Sequence, residues 1–206
     1  MALCAAATVL PGLSGAQPAA KAAAKPPARA AVAGAPGYRI ERTPEWVKPV
    51  QPSSVATTAA AGTPGYRVTL MDAQTLLGQD GSEQAYTRTR AVITDSAGVQ
   101  VLSKAEIYFN PAFQTVALHE AVVWRNGTRL DRLKGARIEL LRREEGLERL
   151  TLTGVQTLLV LLNDVRLGDT VEVAYTVRGA NPIYKGRYSD TFQLGFAAAV
   201  DELQLR

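Results

Sequence analysis

Val171-Glu172-Val173-Ala174-Tyr175-Thr176-Val177-Arg178 is the stretch that decides the fold. Val171, Val173, Tyr175 and Val177 fall on one side of an extended chain, and Glu172, Ala174, Thr176 and Arg178 fall on the other. A period of two belongs to a strand with one face buried. Gly168-Asp169, just before it, supplies the turn that starts it. Working outward, the same alternation recurs. Ala105, Ile107 and Phe109 alternate with Lys104, Glu106 and Tyr108. Val116 and Leu118 begin a run that ends at Val122, Val123 and Trp124. Tyr66, Val68 and Leu70 open the first strand, and Phe192, Leu194 and Phe196 mark a late one.

Turn signals separate these runs: Gly78-Gln79-Asp80-Gly81, Asp95-Ser96-Ala97-Gly98, Asn110-Pro111 and Asn126-Gly127. Asn126-Gly127 predicts a two-residue hairpin with positive φ at both positions, which also accounts for the Asn126-Gly127-Thr128 sequon in structural terms. Arg137–Leu152 is ambiguous. Ile138, Leu141 and Glu145 could share a helix face. We prefer a hairpin turning at Glu144-Glu145-Gly146, with Ile138, Leu140, Leu150 and Leu152 facing inward, because the neighbours are strands. Leu158–Leu162 reads as a buried strand, too short to span a membrane. Many short strands separated by turns predict an all-β fold, an antiparallel β-sandwich, over residues 65–206.

The N-terminal part has a different composition. Ala2–Leu10 is a short uncharged apolar run, and Ser14-Gly15-Ala16 fits a signal-peptidase site, so residues 1–16 read as a secretory signal despite the missing basic residue in front. Residues 17–36 are nearly all Ala, Pro, Lys and Gly, a linker without a core of its own. Residues 37–64 hold an apolar island with Tyr38, Ile40, Trp46 and Val47, read as an arm that docks on the domain, and then a second low-complexity linker. The expectation is an exported, periplasmic protein whose N-terminal signal and linker are disordered.

Composition excludes much chemistry. With one Cys (Cys4) and one His (His119), the chain can build neither a Cys₂His₂ or Cys₄ zinc site nor an intrachain disulfide. The net charge of +4 is uneven: residues 1–36 carry three bases and no acid, whereas the remainder carries 20 bases and 19 acids. A nearly neutral body without a basic stripe argues against a nucleic-acid partner. His119 beside Glu120 could be imagined as a general base, but neighbouring strand residues point to opposite faces, which favours a structural role. Glu144 and Glu145 lie among Arg142, Arg143 and Arg149 and read as a solvated turn. Ser82, Ser96, Ser103 and Ser189 show no nucleophile elbow. Asp164 and Asp169 resemble calcium ligands only superficially, since further oxygens at fixed spacing are missing. No catalytic, cofactor or metal residue is assigned, and the chain reads as a non-enzyme. The segment that draws interest is 181–188, where Asn181, Tyr184, Lys185, Arg187 and Tyr188 could form a contact loop for a partner domain or glycan.

Several pieces, taken in order, carry a resemblance. They are Pro44-Glu45-Trp46-Val47, Phe109-Asn110-Pro111 with Leu118-His119, Arg125-Asn126-Gly127, Val165-Arg166-Leu167-Gly168-Asp169-Thr170-Val171-Glu172, and Arg178-Gly179-Ala180-Asn181-Pro182. Residues 38–206 resemble the domain of unknown function that precedes transglutaminase-like domains in bacterial envelope proteins. The resemblance implies a non-catalytic β-sandwich module that docks on or positions a downstream papain-like domain absent from this chain. Asp201–Leu205 then reads as a strand cut off without a turn, so the chain reads as truncated at its C-terminus. The alternative is a stand-alone periplasmic binding module for peptide or glycan. Neither reading calls for a cofactor or a transmembrane span, and the partner would be the downstream domain or another envelope protein.

Overall fold

The computed structural model describes residues 37–52, 65–142, 154–192 and 194–206. The signal, the linker of residues 17–36, the second linker from residue 53 on, and the Glu144-Glu145-Gly146 turn therefore lie outside the described residues. The chain folds into two sheets packed face to face. A seven-stranded sheet contains β1 (Tyr38–Ile40), β2 (Tyr66–Leu77), β3 (Glu83–Ile93), β5 (Thr115–Arg125), β6 (Thr128–Asp131), β9 (Thr170–Arg178) and β10 (Leu203–Leu205). A three-stranded sheet contains β4 (Lys104–Phe109), β7 (Arg137–Arg142) and β8 (Gln156–Leu161). The strand order is β1-β5-β9-β3-β2-β10 in the first, with β6 also on β5, and β4-β8-β7 in the second.

The core lies between the sheets, because the period-two pattern gives each one an apolar side. Ile107, Phe109, Leu158 and Val160 from the small sheet meet Ile93, Val116, Leu118, Ala121, Val123 and Val171 from the large one. Val173, Tyr175 and Val177 complete the inward row of β9. The all-β architecture expected from the alternation is thus present, and its pairs are mostly antiparallel. Two departures occur at the edges: β1 runs parallel to β5, and β10 runs parallel to β2.

The Asn126-Gly127 hairpin forms as expected, with φ of 49° and 76°. Three local readings need correction. Asp95-Ser96-Ala97-Gly98 is not a simple turn but the start of α1 (Ser96–Leu102), which crosses from β3 to β4. Asp95 is its N-cap, accepting the N–H groups of Ala97 at 2.7 Å and Gly98 at 3.1 Å. Phe192, Leu194 and Phe196 lie outside any strand, whereas the strand read at Asp201–Leu205 forms as β10. β7 pairs antiparallel with β8, Ile138 opposite Val160 and Leu140 opposite Leu158, while the expected Leu150 and Leu152 lie outside the described residues. Ile138 packs on the core while Leu140 stays 42% exposed.

Two bulges shift the alternation, one at Thr69 in β2 and one at His119 in β5. A bulge adds one residue, so everything after it changes face. In β2 it turns Leu70, Asp72 and Gln74 to the outer side of the large sheet. In β5 it places His119 and Glu120 on that same outer side. Strict alternation at His119-Glu120 is therefore overturned, because Glu120 pairs with Ala174 while His119 reaches Thr176.

Candidate functional site

The outer face of the large sheet buries polar side chains beside apolar ones such as Leu70 and Val122. Asp72, Gln74, His119, Glu172 and Thr176 are each less than 8% exposed, with Tyr86 and Ala174 among them. The cover is the N-terminal arm, residues 41–50. A turn closed by the Val47 N–H on the Pro44 carbonyl (3.1 Å) directs Trp46 and Val47 onto Tyr86 and Ala174. Val50, further along the arm, is buried as well.

Most of the other arm contacts are hydrogen bonds from sheet side chains to arm main chain, and the Glu41 N–H donates to the Leu118 carbonyl at 3.0 Å. Gln74 clamps Lys48 from both sides, accepting its N–H at 2.9 Å and donating to its carbonyl at 2.7 Å. Arg88 donates to the Val50 carbonyl at 2.8 Å. His119 Nδ1 lies 3.1 Å from the Glu41 carbonyl, and its Nε2 lies 2.7 Å from Thr176 Oγ1. A carbonyl only accepts, so Nδ1 carries the proton and neutral Nε2 accepts from the threonine hydroxyl. Burial lowers the His119 pKa below the ordinary histidine value, which fits that neutral form. Trp46 Nε1 donates to Gln84 at 3.3 Å, and Arg178 donates to the Glu41 carboxylate at 2.7 Å.

Beneath the arm the charges are paired. Arg88 Nε donates to Glu172 Oε1 at 2.6 Å, and Trp124 Nε1 donates to Glu172 Oε2 at 2.8 Å. The Arg90 guanidinium sits 5.2 Å from the centre of the Trp124 ring. Burial raises the Asp72 carboxyl above the usual range, against the hydrogen bond from Gln74 and the nearby Arg88 charge. Burial likewise pushes the Tyr86 phenol up to about 12, and its ring stacks on His119 with centroids 6.0 Å apart.

Asp164 and Asp169 are held by arginines. Arg125 grips Asp169 through Nε at 2.9 Å and Nη2 at 2.8 Å, while Asp164 receives Arg125, Arg132 and Arg166. Guanidinium hydrogen bonds hold both carboxyls below their usual range. Among the described residues no group of three His, Cys, Asp or Glu side chains is placed to hold a metal ion. Ser82 Oγ is bound to Asp80 at 2.6 Å, inside the Gly78–Ser82 turn.

The loop singled out by sequence lies after β9. Asn181 caps a 3-10 turn, Pro182–Tyr184, by accepting the Ile183 N–H at 3.0 Å. Lys185 and Gly186 take positive φ and fold the loop back against Gly81. Tyr188 donates to Asp190 at 3.1 Å, so it is tied to its own loop. Tyr184, Lys185 and Arg187 are exposed, and the apolar exposure continues through Ile183 (79%), Phe192 (47%) and Leu194 (70%). The cleft beside this loop, between Leu77, Gly81 and Tyr188, holds about 40 Å³, room for water but not for a ring-sized ligand. The structure thus gathers the five predicted loop residues on one surface segment. It also shows a second assembly, the polar face and its arm, that sequence reading did not assemble. The available signal was the row of polar residues opposite Val171 to Val177, which a solvated strand face explains equally well.

No helix among the described residues is long and apolar enough to cross a membrane. No curated protein sequence matches this chain. Over 57% of its length the chain shares its fold with part of a protein from Parabacteroides distasonis ATCC 8503, described as a "putative protease", at 16% identity and a TM-score of 0.51. The chain spans 24% of that protein's length. Looser likeness extends to a family IIIa CBD from Clostridium cellulolyticum, with 16% identity over 58% of this chain and 75% of that one, and a TM-score of 0.37. The CBM3a-L domain of a cellulosome scaffoldin from Clostridium thermocellum gives 8% identity over 57% and 69% of the two chains, with a TM-score of 0.33. Residues 79–206 match the model of the domain of unknown function DUF3857, a family with a solved structure, and the chain belongs to that family.

Proposed function

We propose that this chain is a non-catalytic β-sandwich module of an exported protein, docking on or positioning a downstream transglutaminase-like domain of papain type. The observation that carries the reading is the exposed apolar segment from Ile183 to Leu194, with Tyr184, Lys185 and Arg187 in it. Aromatic and apolar side chains flanked by cations are the composition of a protein contact surface. Two further points support it. The Parabacteroides distasonis protein carries this fold as about a quarter of a longer chain. Three of the side chains weighed for catalysis or metal binding are engaged: His119 is bonded through both ring nitrogens, and Asp164 and Asp169 are held by arginines. Export rests on the apolar leader and the Ala/Pro linker.

The test places a photocrosslinking residue at Tyr184 of the native protein in its cell envelope and maps the captured peptide. Capture of a downstream papain-like segment supports the reading. Capture confined to this domain's own residues contradicts it. Exposed Tyr184 and the neighbouring cations also suit glycan stacking, the second reading. A melting-temperature rise with an envelope glycan, lost in Tyr184→Ala, would favour that one.

A further inference from the structure

The outer face of the large sheet buries polar side chains beneath a short segment of extended chain. A sheet face sealed by a permanent element is ordinarily apolar, as the inner face of this same sheet is. The outer face instead buries Asp72, Gln74, His119, Glu172 and Thr176, with Arg88 part-buried, beside the apolar Leu70 and Val122. Desolvating such groups is costly, and apolar residues of equal size would hold a fixed cover at least as well. What polar lining permits is a face that stays hydrated when its cover leaves. The contacts to the arm have the character of peptide recognition. Gln74, Arg88 and His119 bind main-chain groups of Lys48, Val50 and Glu41. Among the described residues, arm side chains engage at Trp46 and Val47 on Tyr86, at Trp46 on Gln84 and at Glu41 on Arg178, and Val50 is buried as well.

We propose that the outer face of the large sheet is a peptide-binding groove, and that residues 41–50 are its ligand in cis. The groove takes a short segment with a Pro-x-Trp-aliphatic turn and an acidic residue five positions before the Trp, the pattern Glu41 to Val47. A second peptide of that chemistry competes with the arm. Binding and release are hydrogen-bond and ion-pair exchanges with no covalent step.

The test uses the full chain with a protease site inserted between residues 53 and 64, nicked after folding. A fluorescein-labelled synthetic peptide of residues 41–52, which leaves out β1, is then added in excess. Polarisation reports its binding, and hydrogen exchange at Val47 and Lys48 reports displacement of the original arm from the groove. The expected result is saturable exchange with the sheet signal unchanged in circular dichroism. Trp46→Ala in the peptide weakens binding about tenfold or more. Gln74→Leu in the groove, which keeps side-chain bulk and removes both bonds to Lys48, weakens it about tenfold. An arm that stays in the groove of the nicked protein for days against excess peptide overturns the proposal. So does unfolding of the nicked protein as the arm departs. Equal binding of the Trp46→Ala peptide also overturns it, and that arm of the test does not depend on the Gln74 variant folding.

Discussion

The two faces of the seven-stranded sheet come from the same strands yet are closed by opposite means. On the inner face, Val116, Leu118, Ala121, Val123 and Val171 meet the small sheet in an all-apolar contact. On the outer face, Gln74, Arg88 and His119 bind the main chain of an arm, and Trp46 and Val47 make a small apolar contact. The inner contact is non-directional and scales with buried area. The outer contact is directional and exchanges hydrogen bonds with water for hydrogen bonds with the arm, so each contributes little net free energy. One face therefore holds the fold, and the other holds a segment.

That contrast can be broken by mutation. The largest loss is expected from the inner face. Leu158 is fully buried, and Leu158→Ala should reduce unfolding free energy by about 3 kcal/mol in urea denaturation. A loss below about 1 kcal/mol would mean that the two-sheet contact is not the main support. Next comes the ion pair beneath the arm. Glu172→Ala leaves Arg88 without its carboxylate and Trp124 Nε1 without its acceptor, at a cost of about 2–3 kcal/mol. Replacing Arg88 and Glu172 together by Met should cost less than Glu172→Ala alone, as a double-mutant cycle would read directly. A fully additive cycle would contradict the pairing.

Trp46→Ala should cost only about 1–2 kcal/mol of global stability, because the ring is half-buried and one element rests on it. Its stronger effect should be on the arm alone, seen as faster hydrogen exchange at Val47 and Lys48. The smallest effect is the pH response of His119. Its folded pKa lies below the ordinary value of about 6.5, so the unfolded chain takes up the proton first on acidification. The stabilisation is complete above about pH 6.5 and is lost as pH falls through the lowered folded value. Asp72 acts in the opposite sense. Its raised pKa makes its contribution favourable below the ordinary carboxylate value and unfavourable as pH rises through the folded value. Comparing stability of wild type with His119→Asn across pH 4 to 8 isolates the histidine, and parallel curves would remove it (window of about this width from the ordinary values).

The strands were legible where one face is simply apolar. β4, β5 and β9 follow from alternation, and the β5–β6 hairpin follows from Asn126-Gly127. The arm was legible as an apolar island because Trp46 and Val47 stand out in a polar stretch. Its target was not, since Gln74 and Arg88 are ordinary outward-facing strand residues until the arm arrives. α1 escaped because its seven residues offer no helical period and its N-cap, Asp95, doubles as a turn residue. The last strand was read at Asp201–Leu205, but its parallel partner and the strand β1 escaped, because three residues cannot specify a partner far away in the chain. The reading of Phe192 to Phe196 as a strand failed on alternation without a buried face, since Phe192 and Leu194 are exposed. The pairing of His119 with Glu120 on one face was hidden by a bulge, which leaves no mark in composition.

The most direct measurement is native-state hydrogen exchange on the full chain, residue by residue, in low denaturant. The comparison is between the amides of Val47 and Lys48, bonded to Pro44 and Gln74, and the paired amides of β5 and β9. The account predicts that the arm amides exchange through a separate opening, at much lower free energy than the β5 and β9 amides and insensitive to Leu158→Ala. Arm amides that exchange only with global unfolding, at the same free energy as β5 and β9, would show that the arm is an inseparable part of the fold and contradict the claim.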